Sequence, residues 1–156
     1  MTAYELAQRY VGQVIERSGD AEHPLVQWWL SLCGYGLDAK DEIPWCSAFV
    51  NGIAWELRLP RSKSAAARSW LNIGKPYTLS TAEVGFDVIV LNRGGVNDPL
   101  ASGPGHVGWY AGLASESHVR VLGGNQGNAI SIAAFPIDKV LGVRRLDNAF
   151  SGVNYT

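Results

Sequence analysis

Cys46, His106 and Asn125 supply a thiol, an imidazole and a carboxamide, the side-chain types that nucleophilic cysteine chemistry needs. Cys46 lies in Ile43-Pro44-Trp45-Cys46-Ser47-Ala48-Phe49-Val50, at the predicted first turn of a helix. A free thiol titrates near ~8.5, and a helix N-terminus with a nearby imidazolium lowers that to roughly 3.5–7.5. The position therefore favours thiolate. The other reading is a buried structural cysteine, which suits Cys33 better, because Cys33 ends a short helix where the dipole opposes a thiolate. Of the three histidines, His23 precedes Pro24 and reads as a surface residue, and His118 follows a turn at Ser115-Glu116-Ser117. His106 opens the apolar run Val107-Gly108-Trp109-Tyr110, with Gly105 and Gly108 leaving room around it. A base must come within hydrogen-bond reach of the thiol; the other reading is a core-edge histidine bonded to backbone. A third group must hold the imidazole in one tautomer, and an amide serves as well as a carboxylate. Asn125, at the end of Val119-Arg120-Val121-Leu122, fills that place. Gln126 is the fallback, and Gly123-Gly124-Asn125-Gln126-Gly127-Asn128 is also good turn chemistry.

The elements that must position these groups fall into two textures. Thr2-Ala3-Tyr4-Glu5 has the form of a capping box. Ala7, Tyr10, Val11, Val14 and Ile15 then recur at helical spacing until Ser18-Gly19-Asp20. A second helix is expected from Pro24 through Trp28, Trp29 and Leu32, stopping at Gly34. In the third, Pro44 suits the first turn, and Cys46, Phe49, Val50, Ile53 and Leu57 share one inward face, with Leu59-Pro60 ending it. A fourth helix is expected from Ser64 to Leu71. After Gly74 come short β-prone runs at Phe86–Leu91, His106–Ala111, His118–Leu122, Ala129–Ala133 and Lys139–Arg144, punctuated by Gly, Asn, Pro and Ser. Helices first and strands later indicate an α+β fold, N-terminal helices packed on a C-terminal antiparallel sheet. Asp87, the only acid within a predicted strand, is expected to fix that strand's start. The long Gly- and Pro-rich loop 92–105 runs into His106, and loops of that length are commonly functional.

The totals narrow the function classes. A chain of 156 residues, 47% hydrophobic and 17% charged, is expected to form one globular domain over 1–156. A net charge of −1 gives no basis for nucleic-acid binding. No apolar run approaches the ~18 residues of a membrane span. Met1–Leu6 lacks the basic and apolar regions of a secretory signal, so action outside the cytoplasm would need another export route. The two cysteines are close enough in number and spacing for a Cys33–Cys46 disulfide, but two unpaired thiols are the commoner outcome. No Cys-x-x-Cys or His-Glu-x-x-His occurs, so no metal site is expected. Several of the six tryptophans must be core, while Trp45 and Trp109 are candidates for the border of a substrate groove.

Pro44-Trp45-Cys46-Ser47-Ala48-Phe49-Val50, Val84-Gly85-Phe86-Asp87-Val88-Ile89-Val90, Gly105-His106-Val107-Gly108-Trp109-Tyr110 and Gly123-Gly124-Asn125-Gln126 together resemble the CHAP and NlpC-type cysteine peptidases. These are bacterial and phage cell-wall amidohydrolases with a papain-like core. The resemblance covers about residues 40–145 and is closest to a CHAP-like subgroup with a Trp-Cys-Ser motif. It implies Cys46 as nucleophile, His106 as base and Asn125 as the group orienting it. Many CHAP domains carry an acid two positions before that asparagine, where this chain has Gly123. Many NlpC-type domains have Asp-Cys-Ser where this chain has Trp45-Cys46-Ser47. The implied activity is thioester-mediated cleavage of a peptide or amide bond in a peptidoglycan stem or cross-bridge. The Cys46 N–H is the expected oxyanion donor, with the Trp45 indole and Tyr35 hydroxyl as candidates for a second; Gln126 and Trp109 are further candidates for substrate contact. No cofactor is implied, the partner is peptidoglycan, and a monomer is expected. Delivery would be by holin release, specialised secretion or carriage on a phage particle. Two rivals stand beside hydrolysis: an acyltransferase, in which an amine intercepts the thioester, and a non-catalytic wall-binding or structural module of a phage particle.

Overall fold

The structure is a computed structural model that describes residues 1–14, 23–39 and 43–147. Its first element, α1 (Ala3–Gln8), is held by the expected capping box, with Glu5 N donating to Thr2 Oγ1 at 3.1 Å and Thr2 N to Glu5 Oε2 at 2.7 Å. The helix stops short of the apolar pattern. Beyond Gln8 the backbone closes i→i−3 turns, such as Tyr10 N to Ala7 O and Gln13 N to Tyr10 O, and Gly12 sits at φ +79. Ile15 and Ser18–Asp20 lie outside the described residues. In α2 (Pro24–Ser31), Pro24 takes the first turn, and His23 is the cap, its Nδ1 accepting from Leu25 N at 3.2 Å.

The central helix is α3 (Cys46–Glu56), buried without a break from Cys46 to Ala54. A helix buried all round needs cover on every side: α1 and α2 pack on it from one direction, the sheet from the other. Gly52 allows the closest approach, since a Cβ there would lie 2.2 Å from the Trp29 ring. Arg58 at φ +56 closes the C-terminus, with Leu59 N donating to Ala54 O and Arg58 N to Trp55 O. The two buried polar side chains of α3 dock the segment that follows. Ser47 Oγ donates to Ser64 O at 2.6 Å, and Asn51 Oδ1 accepts from Lys63 N at 2.9 Å. Because Ser64 is used in this way, the expected helix from Ser64 becomes only a short 3-10 helix, Ala67–Asn72.

Six strands form one antiparallel sheet in the order β1-β6-β2-β3-β4-β5: β1 (Lys75–Tyr77), β2 (Asp87–Asn92), β3 (Gly105–Leu113), β4 (His118–Gly123), β5 (Ser131–Pro136) and β6 (Val140–Arg145). The α+β class is as expected. β1 is an additional edge strand, and it carries Pro76, a residue tolerated where one side of the ladder is unpaired. Side chains alternate across the central strands. Val88, Val90, Val107, Trp109 and Leu122 join the helices in one core, while Ile89, Leu91, Tyr110, Val121 and Val143 form a second core on the opposite face. Asp87 is fully enclosed at the start of β2 and takes a two-pronged bond from Arg145, at 2.7 and 2.8 Å. Among the described residues no helix is long and apolar enough to cross a membrane.

Candidate functional site

Cys46 is the first residue of α3, and Trp45 before it offers no capping side chain. The N–H groups of Ser47 and Cys46 are therefore free to act on the Cys46 sulfur, and the Val107 N–H acts on it from β3. That contact fixes the thiol beside the strand that begins with Gly105 and His106. Burial is nevertheless the largest influence. The thiol is 1% exposed, and desolvation raises its pKa against these donors and the Arg93 charge. The expectation of a resting thiolate is thus reversed, because lost hydration outweighs the helix N-terminus. Cys33 is also a free thiol, half-buried, and pushed up to about 11 by burial.

His106 comes from the opposite face of β3. Its ring tilts against Phe135 at 5.2 Å between centroids, and it is 3% exposed. Desolvation lowers its pKa, Arg93 lowers it further, and its hydrogen bond to the Gln126 amide oxygen raises it. The resting site accordingly holds a neutral thiol and a neutral imidazole.

The third position belongs to Gln126 and not to Asn125. His106 Nε2 lies 2.8 Å from Gln126 Oε1. The other end of the amide is committed: Gln126 Nε2 donates to Ser131 O at 2.8 Å and to Val121 O at 3.3 Å. With its NH2 held by two carbonyls, the amide must turn its oxygen to the ring, and His106 must carry its proton on Nε2. Nδ1 is then the bare nitrogen, and it is buried without a hydrogen-bond partner. No bond joins it to the Cys46 sulfur in this state. Gly123, where the resemblance leads one to look for an acid, explains how the glutamine fits. A Cβ there would stand 2.5 Å from Gln126 Oε1 and 3.1 Å from His106 Nε2, so the place of that side chain is taken by the Gln126 amide.

Asn125 has a different place. Its backbone is left-handed at φ +56, as are Gly127 and Asn128, a conformation that Asn and Gly adopt most readily. It lines two adjoining cavities of about 420 Å³ each. One contains His106, Gln126, Leu91 and Phe135; the other contains Cys46, Pro44, Ala66 and Pro104. Asn125 and Arg93 border both.

Three further expectations are corrected. Trp45 is fully buried, stacked on Trp29 at 6.4 Å and against Gly124, where a Cβ would meet its ring at 2.6 Å. Trp109 is fully buried in the helix–sheet core. Neither borders the groove. Tyr35 is 40% exposed but lines neither cavity. The loop 92–105 does border it, through Arg93, Gly103, Pro104 and Gly105.

That loop is organised by a residue the motifs did not single out. The Arg68 guanidinium, buried beneath it, donates to the carbonyls of Val96, Asp98, Ala101 and Pro104 and to Asn92 Oδ1, at 2.9–3.2 Å. A cation in a predicted helix, followed by a long loop with no apolar anchor, was the available signal. Among the described residues no three of His, Cys, Asp or Glu come together as metal ligands. No family model matches the sequence, and no curated protein matches it.

Proposed function

We propose that this chain is a papain-like cysteine amidohydrolase that cleaves a peptide or amide bond in the stem or cross-bridge of bacterial peptidoglycan. The observation that carries the reading is the His106–Gln126 hydrogen bond, from which the tautomer of His106 follows. Gln126 holds the ring proton on Nε2 and leaves Nδ1 bare and unpartnered, one residue from the Val107 N–H that touches the Cys46 sulfur. A buried nitrogen lone pair without a donor is costly, and a catalytic role is one of the reasons such a group is kept. The peptidase resemblance of the segments around Cys46, Asp87, His106 and Gly123–Gln126 names the substrate.

In this mechanism the substrate draws the two side chains together, since catalytic hydrogen bonds are often loose until the complex forms. Nδ1 takes the Cys46 proton as sulfur attacks the carbonyl carbon. The oxyanion forms at the start of α3, where the Cys46 N–H faces it. Collapse expels the amine, which receives the proton from Nδ1. Water, deprotonated by Nδ1, then hydrolyses the thioester. The leaving amine belongs in the cavity of His106 and Phe135, the acyl side in that of Cys46 and Pro104. Asn125, lining both, is placed to hold the scissile amide and takes a substrate-binding role in place of the orienting one.

Purified sacculi incubated with the protein should release soluble peptides with new amine termini, detected by mass spectrometry. Cys46→Ala should abolish release with the fold intact, and Cys33→Ala should retain it. Full release by Cys46→Ala would refute the proposal. Sedimentation with sacculi without solubilisation would indicate a binding module, and products carrying an added amine would indicate acyl transfer.

A further inference from the structure

Arg93 stands out from the other arginines near the site. Arg68 is saturated by carbonyls, Arg145 is paired with Asp87, and Arg144 donates to Leu71 O and Val143 O. The Arg93 side chain is exposed and forms no hydrogen bond or ion pair among the described residues. Its backbone is pinned, with its N–H donating to Pro104 O at 3.3 Å across the base of the loop. A fixed main chain thus presents an uncommitted guanidinium. Of the described residues lining the two cavities, Arg93 is the only one with a permanent charge, and no carboxylate lines either. It borders both, on each side of the Cys46–His106 junction.

We propose that Arg93 is a specificity-determining residue that binds a free carboxylate on the substrate, next to the bond that is cut. The inference rests on the peptide-cleaving reading above and adds the charge that the site selects. A guanidinium recognises a carboxylate through two parallel N–H···O bonds, a geometry that an ammonium cannot reproduce. The low polarity of the walls, Leu91, Ala133 and Phe135 on one side and Pro44 and Ala66 on the other, strengthens that attraction compared with open water. The substrate class is therefore a peptide with an anionic residue at the cleavage point, bearing small or apolar groups on either side.

The test separates binding from turnover. Calorimetry on Cys46→Ala measures affinity for a stem peptide with free carboxylates and for the same peptide fully amidated. The acid form should bind about 10- to 100-fold more tightly, the range of a charge-assisted pair. Adding Arg93→Gln should abolish the difference by weakening the acid form alone, and Arg93→Lys should keep only part of it. Equal affinity of acid and amide, or a preference that survives Arg93→Gln, overturns the inference whatever the turnover. Wild-type protein that discriminates through Arg93 but cuts neither peptide overturns the hydrolase reading and leaves the carboxylate site standing.

Discussion

Replacing Gln126 by methionine keeps most of the side chain's volume and removes its bonds to His106, Val121 and Ser131 together. His106 Nε2–H would be left in a 3% exposed site without an acceptor. An orphaned buried donor costs about 1–3 kcal/mol, and at about 1.4 kcal/mol per decade this predicts a roughly 5- to 150-fold fall in kcat/KM as the wrong tautomer becomes populated. A purely structural role for Gln126 would give that loss without moving the pH profile. The Gln126 bond raises the His106 pKa, so Gln126→Met should shift the acid limb of kcat/KM to lower pH. Gln126→Glu should shift it to higher pH, because a carboxylate favours the imidazolium. It should also melt earlier than wild type, with a carboxylate oxygen facing Ser131 O and Val121 O. Asn125→Ala should leave the limb where it is and act mainly on KM. The assay is kcat/KM between pH 4 and 9 on soluble stem peptides, with a thermal melt of each variant. An unmoved acid limb in both Gln126 variants, or a limb moved by Asn125→Ala, would refute the assignment.

Two other outcomes follow from burial and loop anchoring. His106 has its folded pKa below its usual 6.5, so the unfolded chain binds more protons just below that pH. Stability should be full above pH 6.5 and fall as pH drops toward the folded pKa, and His106→Phe should flatten that slope in melts recorded from pH 4 to 8. Arg68→Met should cost at least about 3 kcal/mol by orphaning several carbonyls at once, with faster proteolytic nicking between 94 and 103. Arg68→Lys should not restore it, since a point ammonium cannot reach a ring of acceptors, and wild-type nicking rates in Arg68→Lys would argue against this role.

The parts of the site carried by local pattern were legible in the sequence. Pro44-Trp45-Cys46 marks a helix start, and Gly105-His106-Val107 marks a strand start, each readable from spacing and punctuation alone. The choice between Asn125 and Gln126 was not. It depends on three left-handed residues in the 125–128 turn, which decide which of two adjacent amides faces the sheet. The missing acid at Gly123 was the clue, since a glycine beside a histidine invites another side chain into the gap. The protonation state was not legible either. Position on the helix argued for thiolate, but only the depth of Cys46 and His106 shows that desolvation prevails. The tryptophans illustrate the same limit, for Trp45 beside Cys46 is structural, fixed by its fit against Trp29 and Gly124. The contacts of Arg68, and the lack of any hydrogen bond or ion pair to the Arg93 side chain among the described residues, are set by distant segments, which sequence spacing does not display.

The arrangement around Arg68 is that of an ionophore, a ring of carbonyl oxygens closed around one cation, with the polypeptide as both host and tether. Its two ends meet where Arg93 N reaches Pro104 O, so the ring is also sealed at its base. The outer arc, where Leu100 is 92% exposed, contributes backbone oxygens and almost no side chains to the coordination. An exposed side chain there such as Leu100 can therefore change while the carbonyls continue to encircle the guanidinium. A solvent-facing surface of variable chemistry can in this way be carried on a frame whose groove edge, from Gly103 to Gly105, keeps its place.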